Sequence, residues 1–234
     1  DSEPLSGSCI DCGGGLAFFV EYMDDSVKTP EDLEDRLGLP VLGFIPTIET
    51  AEEELGHHGR ISIEEPQSSA SEAYRSVRTN LFFSAAEKQA KVLAVSSAGP
   101  REGKTVSSSN LSTVISQSGN RVLLIDADFR RPRLQNVFDL PNEAGLSNVL
   151  VGQAELEEVV QKPHDAEDEE MESFDVLTTG PVPPNPAELL DSQAMRDFLK
   201  AASEEYDRVI IDTPPILFVA DASIVAGMSD GVIM

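Results

Sequence analysis

The segment Ser96–Thr105 constrains the fold of this chain more than any other stretch of the sequence. It follows an apolar run, Val92–Val95, that is typical of a buried strand, and it precedes Val106–Ser118, whose apolar residues recur at helical spacing. A strand, a glycine-containing loop that ends in Gly-Lys-Thr, and a helix together predict a phosphate-binding loop. In such a loop, backbone N–H groups and the start of the helix surround the phosphate oxygens of a nucleotide.

Each part of this loop has an expected role. Lys104 is expected to reach the β- and γ-phosphate oxygens, and the Thr105 hydroxyl to ligate Mg²⁺. Gly103 has no Cβ to obstruct the approach of the backbone to the ligand. The alternative is a serine- and glycine-rich turn that spells Gly-Lys-Thr by chance. The predicted nucleotide-binding residues are Ala98, Gly99, Pro100, Arg101, Glu102, Gly103, Lys104, Thr105 and Val106.

Acidic residues end two further apolar runs. Arg121–Ile125 is followed by Asp126 and Asp128, whose side chains face the same side if the backbone is extended. A run from Asp207 ends in Asp212. Ligands of open α/β sheets bind at the carboxyl ends of the strands, and carboxylates there can hold Mg²⁺ and orient a nucleophile.

Strands that alternate with helices predict an α/β fold of the P-loop NTPase type. Its mostly parallel sheet would be covered by helices on both faces. Phe174–Leu177 and Gly231–Met234 are further strand candidates, and the last strand and a following helix are expected to be truncated. We predict a disordered tail over 1–15, a second segment over 16–66 and a nucleotide domain over 67–234, incomplete at its C-terminus.

Within residues 16–66, the sequence predicts three short features. A helix should begin at Thr29-Pro30 and end near Gly38, a strand should cover Val41–Ile45, and 49–66 should be an acidic linker. From Pro186, with Asn185 as its N-cap, a single helix should run to about Glu205.

Charge and cysteine content exclude several classes of function. The net charge of −25 disfavours nucleic-acid binding. Cys9 and Cys12 supply too few ligands for a zinc site, and the low cysteine content suits a reducing cytosol. We find no apolar stretch long enough to span a bilayer, and no secretory signal.

The segment Ser68–Ala86 predicts a helix that carries Glu72, Arg75 and Arg78 at intervals of three residues. These side chains can form a solvated face that pairs with itself. They can equally form an interface to a neighbouring subunit.

These motifs resemble the cytoplasmic domain of the bacterial tyrosine kinases (BY-kinases) of capsule and exopolysaccharide synthesis. Residues 13–46 resemble the juxtamembrane end of the polysaccharide co-polymerase region that precedes the kinase, so 16–66 would combine that segment with the linker. The matching motifs are Walker A at Ala98–Thr105, Walker A′ at Leu123–Pro132, Walker B at Val209–Pro215, and the self-association motif Glu-x-x-Arg-x-x-Arg at Glu72, Arg75 and Arg78.

The resemblance implies phosphorylation of tyrosine that depends on ATP and Mg²⁺. The implied catalytic residues are Lys104, Asp126 and Asp128, with Asp126 accepting the proton of the tyrosine hydroxyl. Thr105, Asp128 and Asp212 would hold Mg²⁺.

The resemblance also implies partners and a location. Subunits would form a ring through Glu72, Arg75 and Arg78 and phosphorylate tyrosine-containing tails of their neighbours. The co-polymerase membrane domain would be a further partner, at the cytoplasmic side of the bacterial inner membrane, and the kinase would regulate polymer length and export.

Departures from the family pattern keep two alternatives open. The only tyrosines are Tyr22, Tyr74 and Tyr206, and the last two are expected to pack inside the fold. Arg101 replaces a family glycine and would strain the loop if it needs a positive φ. One alternative is an ATPase switch like the septum-positioning and plasmid-partition proteins, although Gly99 stands where those proteins carry a second lysine. The other is a truncated module that binds nucleotide and assembles without kinase activity.

Overall fold

The fold is built on a parallel sheet. The computed structural model describes residues 38–48, 55–85, 90–163 and 174–234. The described strands follow the order β3-β2-β4-β1-β5, and every neighbouring pair is parallel. Their bounds are Val92–Val95 (β1), Val122–Asp126 (β2), Asp175–Leu177 (β3), Arg208–Asp212 (β4) and Gly231–Ile233 (β5).

Helices cover both faces of this sheet, as the sequence predicts. All these elements belong to one compact unit, Leu42–Met234. The helices are Leu55–Glu64 (α1), Ser69–Ala85 (α2), Lys104–Ser116 (α3), Leu134–Val137 (α4), Leu146–Leu150 (α5), Leu156–Val159 (α6), Pro186–Leu190 (α7), Gln193–Glu205 (α8) and Ala220–Met228 (α9).

Alternate residues of the central strands enter two separate apolar layers. Leu124 and Ile210 pack with side chains of α2 and α3, whereas Leu123 and Ile211 pack with those of α5 and α8. Successive side chains of a strand point to opposite faces, so a strand covered on both sides must be apolar throughout. This explains why the strands appear in the sequence as continuous apolar runs.

The structure corrects two predictions for the N-terminal part. Residues 55–64 of the predicted linker form the helix α1, which buries Ile61 and Ser62. A Cβ at Gly59 would lie 2.5 Å from a methyl carbon of Val137, so this glycine permits close packing on α4. The predicted strand Val41–Ile45 is also wrong, because the described residues 38–48 contain no strand. The tail 1–15 and most of the helix predicted over 29–38 lie outside the described residues.

The helix predicted from Pro186 to about Glu205 is divided into α7 and α8. The Ser192 side chain accepts a hydrogen bond from the Met195 N–H at 3.2 Å and caps α8. The Asn185 side chain accepts no such bond from a backbone N–H of α7, and it donates instead to Glu188 Oε2 at 2.9 Å. The serine cap therefore starts a second helix where periodicity alone suggests continuity.

In the described ranges, no helix is both long and apolar enough to cross a membrane.

Candidate nucleotide site

The loop between β1 and α3 leaves the start of the helix open to an anion. Gly103 precedes α3 with φ 85° and ψ 11°, and no side chain caps the helix there. The first N–H groups of a helix lack partners within the helix, and they favour negative charge. Arg101 has φ 66°, the left-handed conformation in which an arginine is strained. The strain expected where Arg101 replaces the family glycine is therefore present.

Hydrogen bonds hold this loop against the segment that follows β4. The Thr213 hydroxyl donates to the Val95 carbonyl at 2.9 Å, and the Ile216 N–H donates to the Ser97 carbonyl at 2.9 Å. The ends of β1 and β4 are therefore fixed to each other at the carboxyl edge of the sheet.

The structure brings Lys104 and Thr105 to two of the predicted carboxylates. The Thr105 hydroxyl donates to Asp212 Oδ2 at 2.6 Å, and Lys104 Nζ lies 3.7 Å from Asp128 Oδ2. Asp212 is fully buried, and its Oδ1 atom has no hydrogen-bond partner among the described residues. A buried carboxylate oxygen of this kind is suited to a cation or to a water bound to one.

Asp126 lies beside Asp212, since the two residues are paired in register across β2 and β4. Its carboxylate accepts hydrogen bonds from the backbone N–H groups of Asp128, Arg133 and Leu134, at 2.9 to 3.0 Å. The loop after β2 thus folds round the carboxylate and fixes its direction. Sequence reasoning did not identify these donors, because backbone groups leave no residue-type signal.

Burial changes the proton affinity of both carboxylates. It raises the pKa of Asp126 to about 6, with a smaller increase from the charge of Asp128 and an opposing effect of the loop amides. Burial also raises the pKa of Asp212 well above its usual range. The neighbouring charge of Asp126 adds to this shift, whereas Lys104 and the Thr105 hydrogen bond oppose it. A positive charge bound beside them would therefore stabilise the ionised form of each carboxylate.

The residues present fit a magnesium ion that also takes oxygen ligands from a nucleotide. No group of three or more His, Cys, Asp or Glu side chains in the described ranges is arranged to hold a metal alone. Thr105, Asp128 and Asp212 supply hydroxyl and carboxylate oxygens, which are the atoms that Mg²⁺ prefers.

An ion pair that the sequence did not indicate connects the loop after β2 to the start of α9. Arg130 Nε and Nη2 donate to the two carboxylate oxygens of Asp221 at 2.8 and 3.0 Å. Asp221 is fully buried at the start of α9, whereas Arg130 follows Asp128. Their separation of 91 residues makes the contact invisible to motif reasoning.

The predicted assembly residues lie on α2, outside this site. Arg75 donates to Glu72 at 2.5 Å, and Arg78 Nη1 donates to the Val114 carbonyl of α3 at 2.6 Å. The self-paired face therefore forms for Glu72 and Arg75. Their role in a subunit interface stays a prediction.

Two tyrosines are confirmed as packing residues. Tyr74 and Tyr206 are 2% and 4% exposed, and the Tyr206 hydroxyl donates to Asp175 Oδ2 at 2.8 Å. Tyr22 lies outside the described residues, as do Cys9 and Cys12.

Comparison with known proteins gives several relatives of one kind. A family model described as an AAA domain matches residues 90–234. The tyrosine-protein kinase YwqD of Bacillus subtilis is 45% identical over 174 residues, which cover 74% of this chain and 71% of YwqD. The tyrosine-protein kinase etk of Escherichia coli K12 is 40% identical over 215 residues, 85% of this chain, but the match spans 29% of etk.

Solved structures agree with these matches. The kinase domain of the Escherichia coli tyrosine kinase ETK has a TM-score of 0.76 and 39% identity, covering 88% of this chain and 81% of that domain. The septum site-determining protein MinD of Pyrococcus horikoshii, complexed with Mg-ADP, has a TM-score of 0.50 and 23% identity. This match covers 61% of this chain and 56% of MinD, and it shows a likeness of fold alone.

Proposed function

Because this chain belongs to the family of bacterial tyrosine-protein kinases, we propose that it transfers the γ-phosphoryl group of ATP to the hydroxyl of protein tyrosines. The observation that supports this proposal best is the meeting of three segments at one edge of the sheet. Lys104 and Thr105 from the phosphate loop contact Asp128 and Asp212, while Asp126 is paired with Asp212 across neighbouring strands.

The phosphate loop and its lysine would bind the triphosphate. The backbone of Arg101–Val106 would supply N–H donors, and Lys104 would supply a positive charge for the β- and γ-phosphate oxygens. Thr105, Asp128 and Asp212 would hold Mg²⁺. When bound, Mg²⁺ neutralises phosphate charge and fixes the direction of the triphosphate.

Asp126 would accept the proton of the attacking tyrosine hydroxyl. With a pKa of about 6, this carboxylate is ionised at neutral pH and remains a stronger base than an exposed aspartate. The three backbone N–H groups that bind it prevent it from turning away from the site. Both the orientation of Asp126 and its proton affinity would contribute to the rate.

The substrate tyrosine comes from another protein or from a segment outside the described residues, since Tyr74 and Tyr206 are buried. We propose that the chain assembles into a ring through Glu72, Arg75 and Arg78, and that tyrosine-containing tails of its neighbours are its substrates. Exchange of an exposed Glu–Arg pair within one chain for a pair between chains costs little free energy. We place this assembly at the cytoplasmic side of the inner membrane, with the polysaccharide co-polymerase membrane domain as partner, in the control of capsule or exopolysaccharide synthesis and export.

The two alternative functions are not favoured. The relatives of at least 30% identity named above are tyrosine-protein kinases, whereas the likeness to the septum-positioning ATPase is limited to the fold. The residue Gly99 also lacks the amine expected for such a switch.

Phosphotyrosine formation tests the proposal. The chain is incubated with ATP, Mg²⁺ and a tyrosine-rich peptide, and phosphotyrosine is measured for the wild type, Lys104→Ala and Asp126→Asn. We expect each substitution to lower the rate by at least about 100-fold, because phosphate binding or proton transfer is lost. The wild-type rate should also fall about tenfold for each pH unit once Asp126 becomes protonated, and this fall should begin below pH 6, because bound Mg²⁺ favours the ionised carboxylate.

Asp207→Asn is the matched control, since Asp207 is exposed at the opposite edge of the sheet. It should retain the wild-type rate. ATP-driven dimerisation without phosphotyrosine would favour the switch, and nucleotide binding without either activity would favour the binding module.

A further inference from the structure

Exposed arginines border the proposed active site of a strongly acidic chain. Arg101 lies in the phosphate loop, and Arg130, Arg131 and Arg133 lie in the loop after β2; all four side chains are exposed. The chain has 17 basic and 42 acidic residues, so a local excess of arginine opposes its overall charge.

Three of these arginines are free to meet a ligand. Arg130 is held by both carboxylate oxygens of Asp221. In the part of the chain that the structure describes, no ion pair involves Arg101, Arg131 or Arg133. The one carboxylate next to Arg101 in sequence, Glu102, accepts the backbone N–H of Gly99 at 2.9 Å.

The backbone N–H groups of Arg131 and Arg133 donate hydrogen bonds to the proposed catalytic carboxylates. The Arg133 N–H donates to Asp126 Oδ2 at 2.9 Å, and the Arg131 N–H donates to Asp128 Oδ1 at 3.0 Å. Arg101 precedes Lys104 by three residues in the phosphate loop. We therefore expect a tyrosine that reaches Asp126 to bring its flanking residues close to the loops that carry these arginines.

We propose that Arg101, Arg131 and Arg133 form a basic rim that recognises carboxylate side chains beside the substrate tyrosine. The rim selects tyrosine-containing acidic segments over neutral or basic ones. This inference rests on the proposed kinase function and adds to it the class of segment that is phosphorylated. Guanidinium groups suit this task because their planar donors match carboxylates.

Exposed ion pairs are individually weak, so the expected selectivity is moderate. Each arginine should contribute at most about a fivefold preference, and the three together about 10- to 50-fold. The effect should appear in KM for the peptide, because the rim contacts flanking residues and not the transferred phosphoryl group. It should weaken between about 50 and 300 mM NaCl, since salt screens exposed charges.

Three peptides that differ only in the residues flanking one tyrosine test the rim. The flanks are glutamate, glutamine or lysine, and kcat and KM are measured at saturating Mg-ATP for the full chain. The variants are the triple Arg101→Gln, Arg131→Gln, Arg133→Gln and the double Arg131→Glu, Arg133→Glu. The control is Lys200→Gln, an exposed basic residue on α8.

The wild type and the control should prefer the glutamate peptide by about tenfold or more in kcat/KM. The triple variant should lose this preference, and the double variant should favour the lysine peptide. The readout is a ratio between peptides, so a general loss of activity does not imitate the result.

Other outcomes overturn the inference. Equal use of the three peptides by the wild type would overturn the proposed recognition by the rim but would not contradict the kinase function. A raised KM for ATP with an unchanged peptide ratio would assign the arginines to the nucleotide. Absence of phosphotyrosine on every peptide would overturn the kinase function, and the rim with it.

Discussion

The sheet carries aspartates at both edges, but their surroundings differ. At the carboxyl edge, Asp126 and Asp212 are fully buried and lie side by side across two strands. At the amino edge, Asp207 and Asp230 are exposed. Asp207 accepts the Arg121 N–H at 2.9 Å, and Asp230 accepts the N–H groups of Lys91 and Val92, where β1 begins, at 2.8 Å.

The comparison separates a structural use of aspartate from a functional one. At the amino edge, the carboxylate accepts a backbone N–H near the start of a strand and remains solvated by water. The fold therefore gains a hydrogen bond without a large desolvation cost. At the carboxyl edge, burial opposes the charge, and the pKa of both residues rises. Such an arrangement lowers the stability of the free chain and favours the binding of a cation.

The largest expected effect on stability is at Asp212. Asp212→Asn should raise the free energy of unfolding by about 1–3 kcal/mol above the raised pKa of Asp212, because a buried charge with one unpartnered oxygen is then removed. The folded-state pKa of Asp212 is raised, so this residue makes the wild type lose stability as pH rises through that value. The variant keeps only the loss that Asp126 causes. The gain should therefore grow with pH and vanish in acid. Urea unfolding at several pH values measures it.

Asp207→Asn provides the control at the amino edge. An exposed carboxylate replaced by an amide that can still accept the Arg121 N–H should change stability by about 0.5 kcal/mol or less. An Asp212→Asn variant less stable than the wild type at every pH tested would contradict the proposed difference between the two edges.

A smaller effect is expected at the strained phosphate loop. Arg101→Gly should stabilise the free chain by about 1 kcal/mol, because glycine adopts φ 66° without the steric cost of a side chain. Asp139→Gly is the comparison, since Asp139 has φ 51° and lies outside the loops that carry the site. Aspartate tolerates the left-handed region better than arginine, so its gain should be smaller. Thermal unfolding measures the stability of both variants. A larger gain for Asp139→Gly than for Arg101→Gly would refute the strain at Arg101.

Local patterns were sufficient to predict the sheet and to bring together most residues of the candidate site. Buried strands such as β1 are continuous apolar runs, and the phosphate loop follows one of them directly, so short segments carry the information. The proximity of Asp126 to Asp212 follows from their places at the ends of parallel strands.

Contacts between distant segments could not be predicted in this way. The helix α1 contains few apolar residues, and its burial depends on packing against α3 and α4; the Asn110 side chain, for example, accepts the Ser62 N–H at 2.9 Å. The Arg130–Asp221 pair and the N–H groups that bind Asp126 likewise depend on tertiary structure. In each case the residue types are common, and only the fold brings them together.

The central claim is that one edge of the sheet surrounds a metal–triphosphate. Anomalous diffraction from crystals grown with Mn²⁺ and a non-hydrolysable ATP analogue tests it most directly. We expect the manganese peak within coordination distance of the Thr105 hydroxyl, beside Asp212 Oδ1, with the terminal phosphates against Lys104 Nζ. A manganese peak elsewhere, or a nucleotide bound away from Lys104, would contradict the claim.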